Sequence, residues 1–214
     1  MDYRKIIDEN EKKDLESVLG EGAAEWVFQN PVPDGMTEAE RVYTMEDIRT
    51  LPESIRAELT DGKLFIMQAP TTAHQRIIGE LYLVIANYIR GRGGDCEVFL
   101  SPFGVYLKDD DSTYLLPDLT VICDPEKIGD DGCHGAPDWV IEVTSPSTGK
   151  RDYGKKLFMY RSAGVREYWV INPVHRTVMV YLFGEEEEAT VYRFEDEISC
   201  SIYPDLKIRL ADTV

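Results

Sequence analysis

The chain has 214 residues, with 40 acidic against 23 basic side chains and a formal net charge of -17. That length suits one domain with an extension, large enough to bury a core without staples. The charge excludes a protein that coats nucleic acid by bulk electrostatics, while leaving room for a local basic surface.

No apolar run reaches the roughly 18 residues that a membrane span needs, and the polar stretch from Met1 to Lys5 predicts no signal peptide. The four cysteines, Cys96, Cys123, Cys133 and Cys200, contain no C-x-x-C pair. Cys123 and Cys200 lie in apolar stretches and read as buried thiols. Cys133-His134 lacks the second close pair that a zinc site requires. A reducing, cytoplasmic compartment is the expectation.

Residues 1–40 hold 11 carboxylates against 4 basic residues. A sparse helix over residues 4–19 is expected, then an apolar clump at Trp26, Val27 and Phe28, then a Pro/Gly break at 31–35. Residues 1–41 thus read as an acidic extension and 42–214 as the main domain. Thr44 and Asp47 have the spacing of a capping box, predicting a short helix that ends near Leu51-Pro52. Asp61-Gly62 lies between two strand-like runs, the strongest short hairpin signal. Glu58 falls on the first of those strands and, as a strand residue alone, reads as part of an exposed polar face.

The longest predicted helix spans residues 71–90. Ile77, Ile78, Leu81, Tyr82, Val84, Ile85, Tyr88 and Ile89 form a wide apolar stripe suited to packing on a sheet. His74 sits in its first turn, either as a capping or surface residue or in contact with a phosphate or carboxylate. Strands are expected at 97–100, 104–107, 115–123 and 138–143, with a Gly/Asp-rich loop over 124–136. The last of these strands is nearly all apolar except Glu142, as a strand buried on both faces would be.

Ser147 or Thr148 is expected to cap a helix running to about Ala163, with Gly164 as its stop. A strand over 165–171 completes a βαβ unit, so the two strands should be parallel neighbours or near neighbours. A hairpin over 177–194 with a charged tip and an edge strand over 206–210 end the chain.

Residues 149–166 hold six basic residues and one acidic one, Asp152. Asp152, Lys156 and Tyr160 share a helix face, which reads as a surface ion pair or as a lysine aimed at a site. Asp118 and Glu142 each stand at the end of an apolar strand, and neighbouring strands lie about 4.8 Å apart. If those strands pair, the carboxylates converge and repel unless positive charge lies between them. A divalent metal is the usual answer, because Mg²⁺ takes one or two carboxylates plus water and phosphate oxygens.

The run Pro117-Asp118, then Pro137-Asp138-Trp139-Val140-Ile141-Glu142-Val143-Thr144-Ser145-Pro146-Ser147-Thr148, then Asp152, Lys156-Leu157, Tyr160 and Gly164-Val165-Arg166-Glu167-Tyr168-Trp169, resembles the Uma-two family. So do Tyr43-Thr44-Met45-Glu46-Asp47, Glu58-Leu59-Thr60-Asp61-Gly62-Lys63-Leu64, Ala69-Pro70 and His74-Gln75. These are restriction-endonuclease-like proteins of the PD-(D/E)XK nuclease superfamily, and the resemblance spans about residues 42–212.

It implies an α/β chain of mixed α+β type: a restriction-endonuclease-like core with a central mixed β-sheet flanked by helices. It also implies a metal-dependent endonuclease acting on DNA, with Mg²⁺ as cofactor and Mn²⁺ as substitute. Asp118 and Glu142 are then metal ligands and Glu58 completes the shell. Thr144 stands where the superfamily has its lysine, so Lys156 on the next helix takes that role, with Lys155 as fallback. Asp152, Tyr160 and His74 support them. The alternative is a catalytically inactive nuclease-fold module that binds or regulates. A homodimer suits paired cuts on a duplex.

Overall fold

The computed structural model describes residues 22, 25, 26, 30, 40–145, 149–184, 188–211 and 213. The expected helix over 4–19, most of the acidic extension, the capping residues Ser147 and Thr148, and the tip of the last hairpin lie outside them. The chain divides into two compact units, Met1–Ala69 with Asp110–Leu115, and Pro70–Asp109 with Leu116–Val214.

In the first unit, Asp47 Oδ2 accepts the Thr44 N–H at 2.8 Å and starts α1 (Met45–Thr50). This is the half of the capping box in which the N3 carboxylate reaches back to the cap. Strands β1 (Ala57–Thr60) and β2 (Lys63–Ile66) pair antiparallel, with Thr60 opposite Lys63. Asp61 and Gly62 between them have φ of 45° and 74°. Those are the positive values of the tightest hairpin turn, which Asp-Gly tolerates. Tyr114 exchanges backbone hydrogen bonds with Leu59 at 2.7 and 2.8 Å, tying the inserted segment to the hairpin. Every residue of β1 is buried, Glu58 included. The expectation of an exposed polar face there is therefore wrong: a strand covered on both sides does not alternate.

The second unit is built on a six-stranded sheet. Its strands are β3 (Glu97–Leu100), β5 (Leu119–Ile122), β8 (Trp139–Val143), β9 (Glu167–Asn172), β10 (Thr177–Leu182) and β11 (Glu188–Arg193). The order is β11-β10-β9-β8-β5-β3, and β8 with β9 is the parallel pair. Between those two runs one helix, α3, in three consecutive segments: Gly149–Arg151, Asp152–Lys156 in π form, and Leu157–Ala163. The helix before the sheet, α2 (Thr72–Arg92), opens on Thr71, whose Oγ1 accepts the His74 N–H at 3.2 Å.

Alternation along each strand sends one set of side chains to α2. Ile77, Ile78, Leu81, Ile85 and Ile89 of the helix form one core with Leu119, Val121, Trp139, Ile141, Val143, Trp169 and Ile171. Leu81→Ala should cost about 2–5 kcal/mol there. The other set, including Val140, Glu142, Tyr168 and Val170, is buried as well. Tyr160 of α3 packs its ring 4.9 Å from that of Tyr168, so α3 covers that face. Both faces of β8 are occupied, which is why its sequence is nearly continuous in apolar residues.

Three expectations are corrected here. The predicted loop over 124–136 contains a short 3₁₀ turn at Pro125–Lys127 and strands β6 (Ile128–Gly129) and β7 (Gly132–His134). These form a small sheet with β4 (Val105–Tyr106). Gly132, at φ 145°, lets the chain pass so close that a Cβ would sit 2.3 Å from the Gly104 carbonyl oxygen. Elements of two or three residues are too short to leave a periodicity.

The second correction is to the length of the predicted edge strand near the C-terminus. β13 (Lys207–Ile208) pairs with β12 (Ile198–Ser199) in a separate two-stranded sheet. Third, Cys123 is not a thiol but is bonded to Cys96. The register Glu97↔Ile122, continued by one residue, sets the two cysteines opposite each other. Cys133 and Cys200 are buried thiols. Burial pushes Cys133 up to about 11 and Cys200 higher still, so neither is a ready thiolate.

Candidate active site

Asp118 and Glu142 converge because β5 and β8 run antiparallel side by side. The register Leu119↔Ile141, extended by one residue, brings Asp118 opposite Glu142. Asp118 Oδ2 accepts the backbone N–H of Val143 at 2.7 Å, so the first carboxylate is fastened to the residue after the second. The same oxygen lies 3.0 Å from His74 Nε2, and the two side chains are 12% and 15% exposed. His74 thus lies against Asp118, and the cap of α2 is made by Thr71 instead.

Glu142 is held from α3. Its Oε1 accepts from Lys156 Nζ at 2.6 Å and from Tyr160 OH at 3.0 Å. Lys156 Nζ is also 3.8 Å from Asp152 Oδ1. Asp152, Lys156 and Tyr160 are all buried, so the surface ion-pair reading of this helix face is overturned. A buried ion pair persists only when further hydrogen bonds satisfy its oxygens, and here Tyr160 contributes one. Lys155, the fallback, is exposed.

The π segment Asp152–Lys156 was not legible in the sequence. A π turn widens the helix by one residue, and such turns recur at functional sites. Tyr168 OH donates to the Asp152 carbonyl at 3.1 Å from the neighbouring strand β9. Tyr168 was not singled out from the sequence, where a tyrosine in an apolar strand has no distinguishing mark. Glu58, the third expected ligand, lies in the other compact unit, on β1.

Cys133 and His134, the pair a zinc reading would use, are engaged otherwise. His134 Nε2 lies 2.8 Å from Asp131 Oδ1 and its ring stacks on Tyr106. Among the described residues, no three His, Cys, Asp or Glu side chains form a ready metal cage.

Residues 40–211 match the Uma2 family, described as "Putative restriction endonuclease". The chain is a member of the Uma2 family. An uncharacterized protein of Synechocystis is 25% identical to this Uma2 chain over 139 residues, 64% of this chain and 72% of that one. A crystal structure described as a putative nuclease, from Anabaena variabilis, superposes with a TM-score of 0.64 at 24% identity. It covers 79% of this Uma2 chain and 96% of its own. The mixed α+β fold of this Uma2 protein, a central mixed sheet flanked by helices, is therefore that of a restriction-endonuclease-like core. No helix among the described residues is long and apolar enough to cross a membrane.

Proposed function

We propose that the chain is a Mg²⁺-dependent endonuclease that hydrolyses DNA phosphodiester bonds, with Mn²⁺ as substitute. The observation that supports it is the meeting of Asp118 and Glu142 across β5 and β8, with the Lys156 ammonium bonded to the second carboxylate. Two carboxylates fit Mg²⁺, which takes one or two from the protein and fills its remaining positions with water and phosphate oxygens. Asp118 and Glu142 would hold it, and Glu58 is proposed as a third ligand from the family pattern alone. When bound, a divalent cation supplies Lewis-acid stabilisation of the phosphoryl oxygens and makes a nucleophilic water more acidic.

The chain's own residues do the rest. His74 and the Val143 N–H fix the Asp118 carboxylate in one orientation. Lys156 brings a positive charge that offsets the charge gathering on a phosphoryl group and orients the attacking water. Tyr160, on Glu142 Oε1, and the nearby Asp152 carboxylate hold Lys156 at that post. A two-fold dimer is the proposed cutting unit, because two-fold dimers are the commonest oligomer. The cytoplasm is its proposed location.

A second reading is a nuclease-fold module that binds or regulates without cleaving. It is favoured by the pairing of each carboxylate with a protein donor, His74 for Asp118 and Lys156 for Glu142. Each of the two carboxylates has a partner within the protein. Cleavage of supercoiled and single-stranded DNA in Mg²⁺ or Mn²⁺, by wild type and by Glu142→Ala, separates the two. Cleavage by wild type alone supports the enzyme. Equal cleavage by both points to a contaminant, and no cleavage with no Mn²⁺ binding leaves the module.

A further inference from the structure

The helix that supplies Lys156 carries a second face. Along α3, Gly154, Lys155, Phe158, Arg161 and Ser162 are exposed, while Asp152, Lys156, Met159 and Tyr160 are buried. At 3.6 residues per turn, Phe158 points roughly opposite to Lys156, away from Glu142. Its side chain is 66% exposed, although Met159 and Tyr160 already supply the helix's apolar contacts to the interior. A Cβ at Gly154 would meet nothing within 4 Å, so the backbone beside Lys155 is open to approach. Of the basic residues over 149–166, Lys155 and Arg161 are exposed on this face, in a chain of net charge -17.

An exposed aromatic ring between two cations matches what a single-stranded nucleic acid offers. Each base has a π-face that stacks on an aromatic side chain whatever its identity, and the backbone phosphates seek lysine and arginine. A duplex hides its base faces inside the stack and would meet only the charges. A second copy of this chain would bring acidic residues but no need for the ring to stand proud in water.

We propose that the outer face of α3, with Lys155, Phe158 and Arg161, docks single-stranded nucleic acid, one base stacking on Phe158 and adjacent phosphates lying against the two cations. The proposal rests on the nucleic-acid reading above and names the form of the partner. The contact is an anchor about one helix diameter, roughly 10 Å, from the Glu142 side of the helix. The strand must turn over α3 to reach the carboxylates.

The test is fluorescence anisotropy of a labelled 20-nucleotide thymidine strand and of a duplex of equal length, with the full chain in EDTA and again in Ca²⁺. Phe158→Ala should weaken single-strand binding about 5- to 100-fold and leave duplex binding within twofold. Phe158→Trp should restore it. Lys155→Ala should lower the slope of log affinity against log salt by about 0.7.

Single-strand binding unchanged in Phe158→Ala, or absent from the wild type, overturns the proposal. So does a Phe158→Ala chain that loses only a dimer seen by light scattering, since the face would then be a contact between copies. The outcomes also separate this inference from the cleavage reading. A wild type that binds the strand through Phe158 yet cuts nothing in Mg²⁺ or Mn²⁺ keeps the dock and sinks the nuclease. One that cuts while Phe158→Ala binds normally does the reverse.

Discussion

Lys156 Nζ and Glu142 Oε1 lie 2.6 Å apart with side-chain exposures of 2% and 6%, an ion pair within the protein interior. Such a pair is costly to break from one side, because the survivor is left as a buried charge. Lys156→Met should therefore destabilise the chain by about 3–5 kcal/mol. Adding Glu142→Gln to Lys156→Met removes the nearer of the two stranded charges, with Asp152 remaining, and should recover part of that loss. Urea titration of the four proteins measures the coupling. If the double variant is as unstable as the sum of the singles, the two groups act separately and this account of the pair is wrong.

The carboxylate opposite is set differently, and that difference isolates its chemistry. Asp118 Oδ2 takes the Val143 N–H at 2.7 Å. Asparagine at 118 can still accept that bond through its carbonyl oxygen while losing the charge. Asp118→Asn should thus stay within about 1 kcal/mol of wild-type stability. Mn²⁺ binding by electron paramagnetic resonance and DNA cleavage should both collapse. Normal Mn²⁺ binding in Asp118→Asn would remove Asp118 from the proposed ligand set.

These two groups show what was legible in the sequence and what was not. Long elements announced themselves: α2 by its apolar stripe, β8 by its unbroken apolar run, the Asp61-Gly62 hairpin by its turn residues. The pairing of Asp118 with Glu142 followed once β5 and β8 were taken as neighbours. Of the two Pro-Asp pairs, the family resemblance singled out Asp118. Asp138 looks much like Asp118 in sequence, but it accepts the Cys123 N–H at 2.8 Å and pairs with Arg166 at 3.2 Å. The sequence left Lys156 between a surface ion pair and a lysine aimed at a site, because a basic residue on a basic helix can also be solvated. In the structure Tyr160 packs on Tyr168 and Lys156 bonds Glu142, so this face of the helix turns inward.

The Cys96–Cys123 bond was equally hidden, since 27 residues separate its ends and only the β3–β5 register brings them together. Closing a loop of that length restricts the unfolded chain, which is worth about 3–4 kcal/mol. A reducing cytoplasm keeps such pairs as thiols, so the oxidised and reduced chains should be compared directly. The oxidised protein should unfold at higher urea by that amount, and Cys96→Ser should behave as the reduced form under both conditions. Alkylation without reductant, read by mass spectrometry, should modify only Cys133 and Cys200 once the chain is unfolded. Labelling of all four cysteines there would mean that the bond does not form.

Glu167 gives the fold a pH dependence apart from the site. It is fully buried on β9. Its Oε1 accepts from Trp169 Nε1 at 2.7 Å, and its Oε2 accepts the Ser201 and Ile202 N–H groups at 2.8 and 3.3 Å. Burial outweighs these donors and raises its pKa above the ordinary 4.5. The folded protein therefore holds this proton more tightly than the unfolded chain. The resulting stabilisation is fully present below pH 4.5 and is lost as pH rises through the raised value in the folded state. Glu167→Gln cannot titrate, so the stability of wild type relative to Glu167→Gln should fall as pH climbs through that window and then level off. Urea midpoints of the two proteins at half-unit pH steps measure it. A difference that grows with pH would mean that the donors outweigh burial and that the carboxylate is the form the fold prefers.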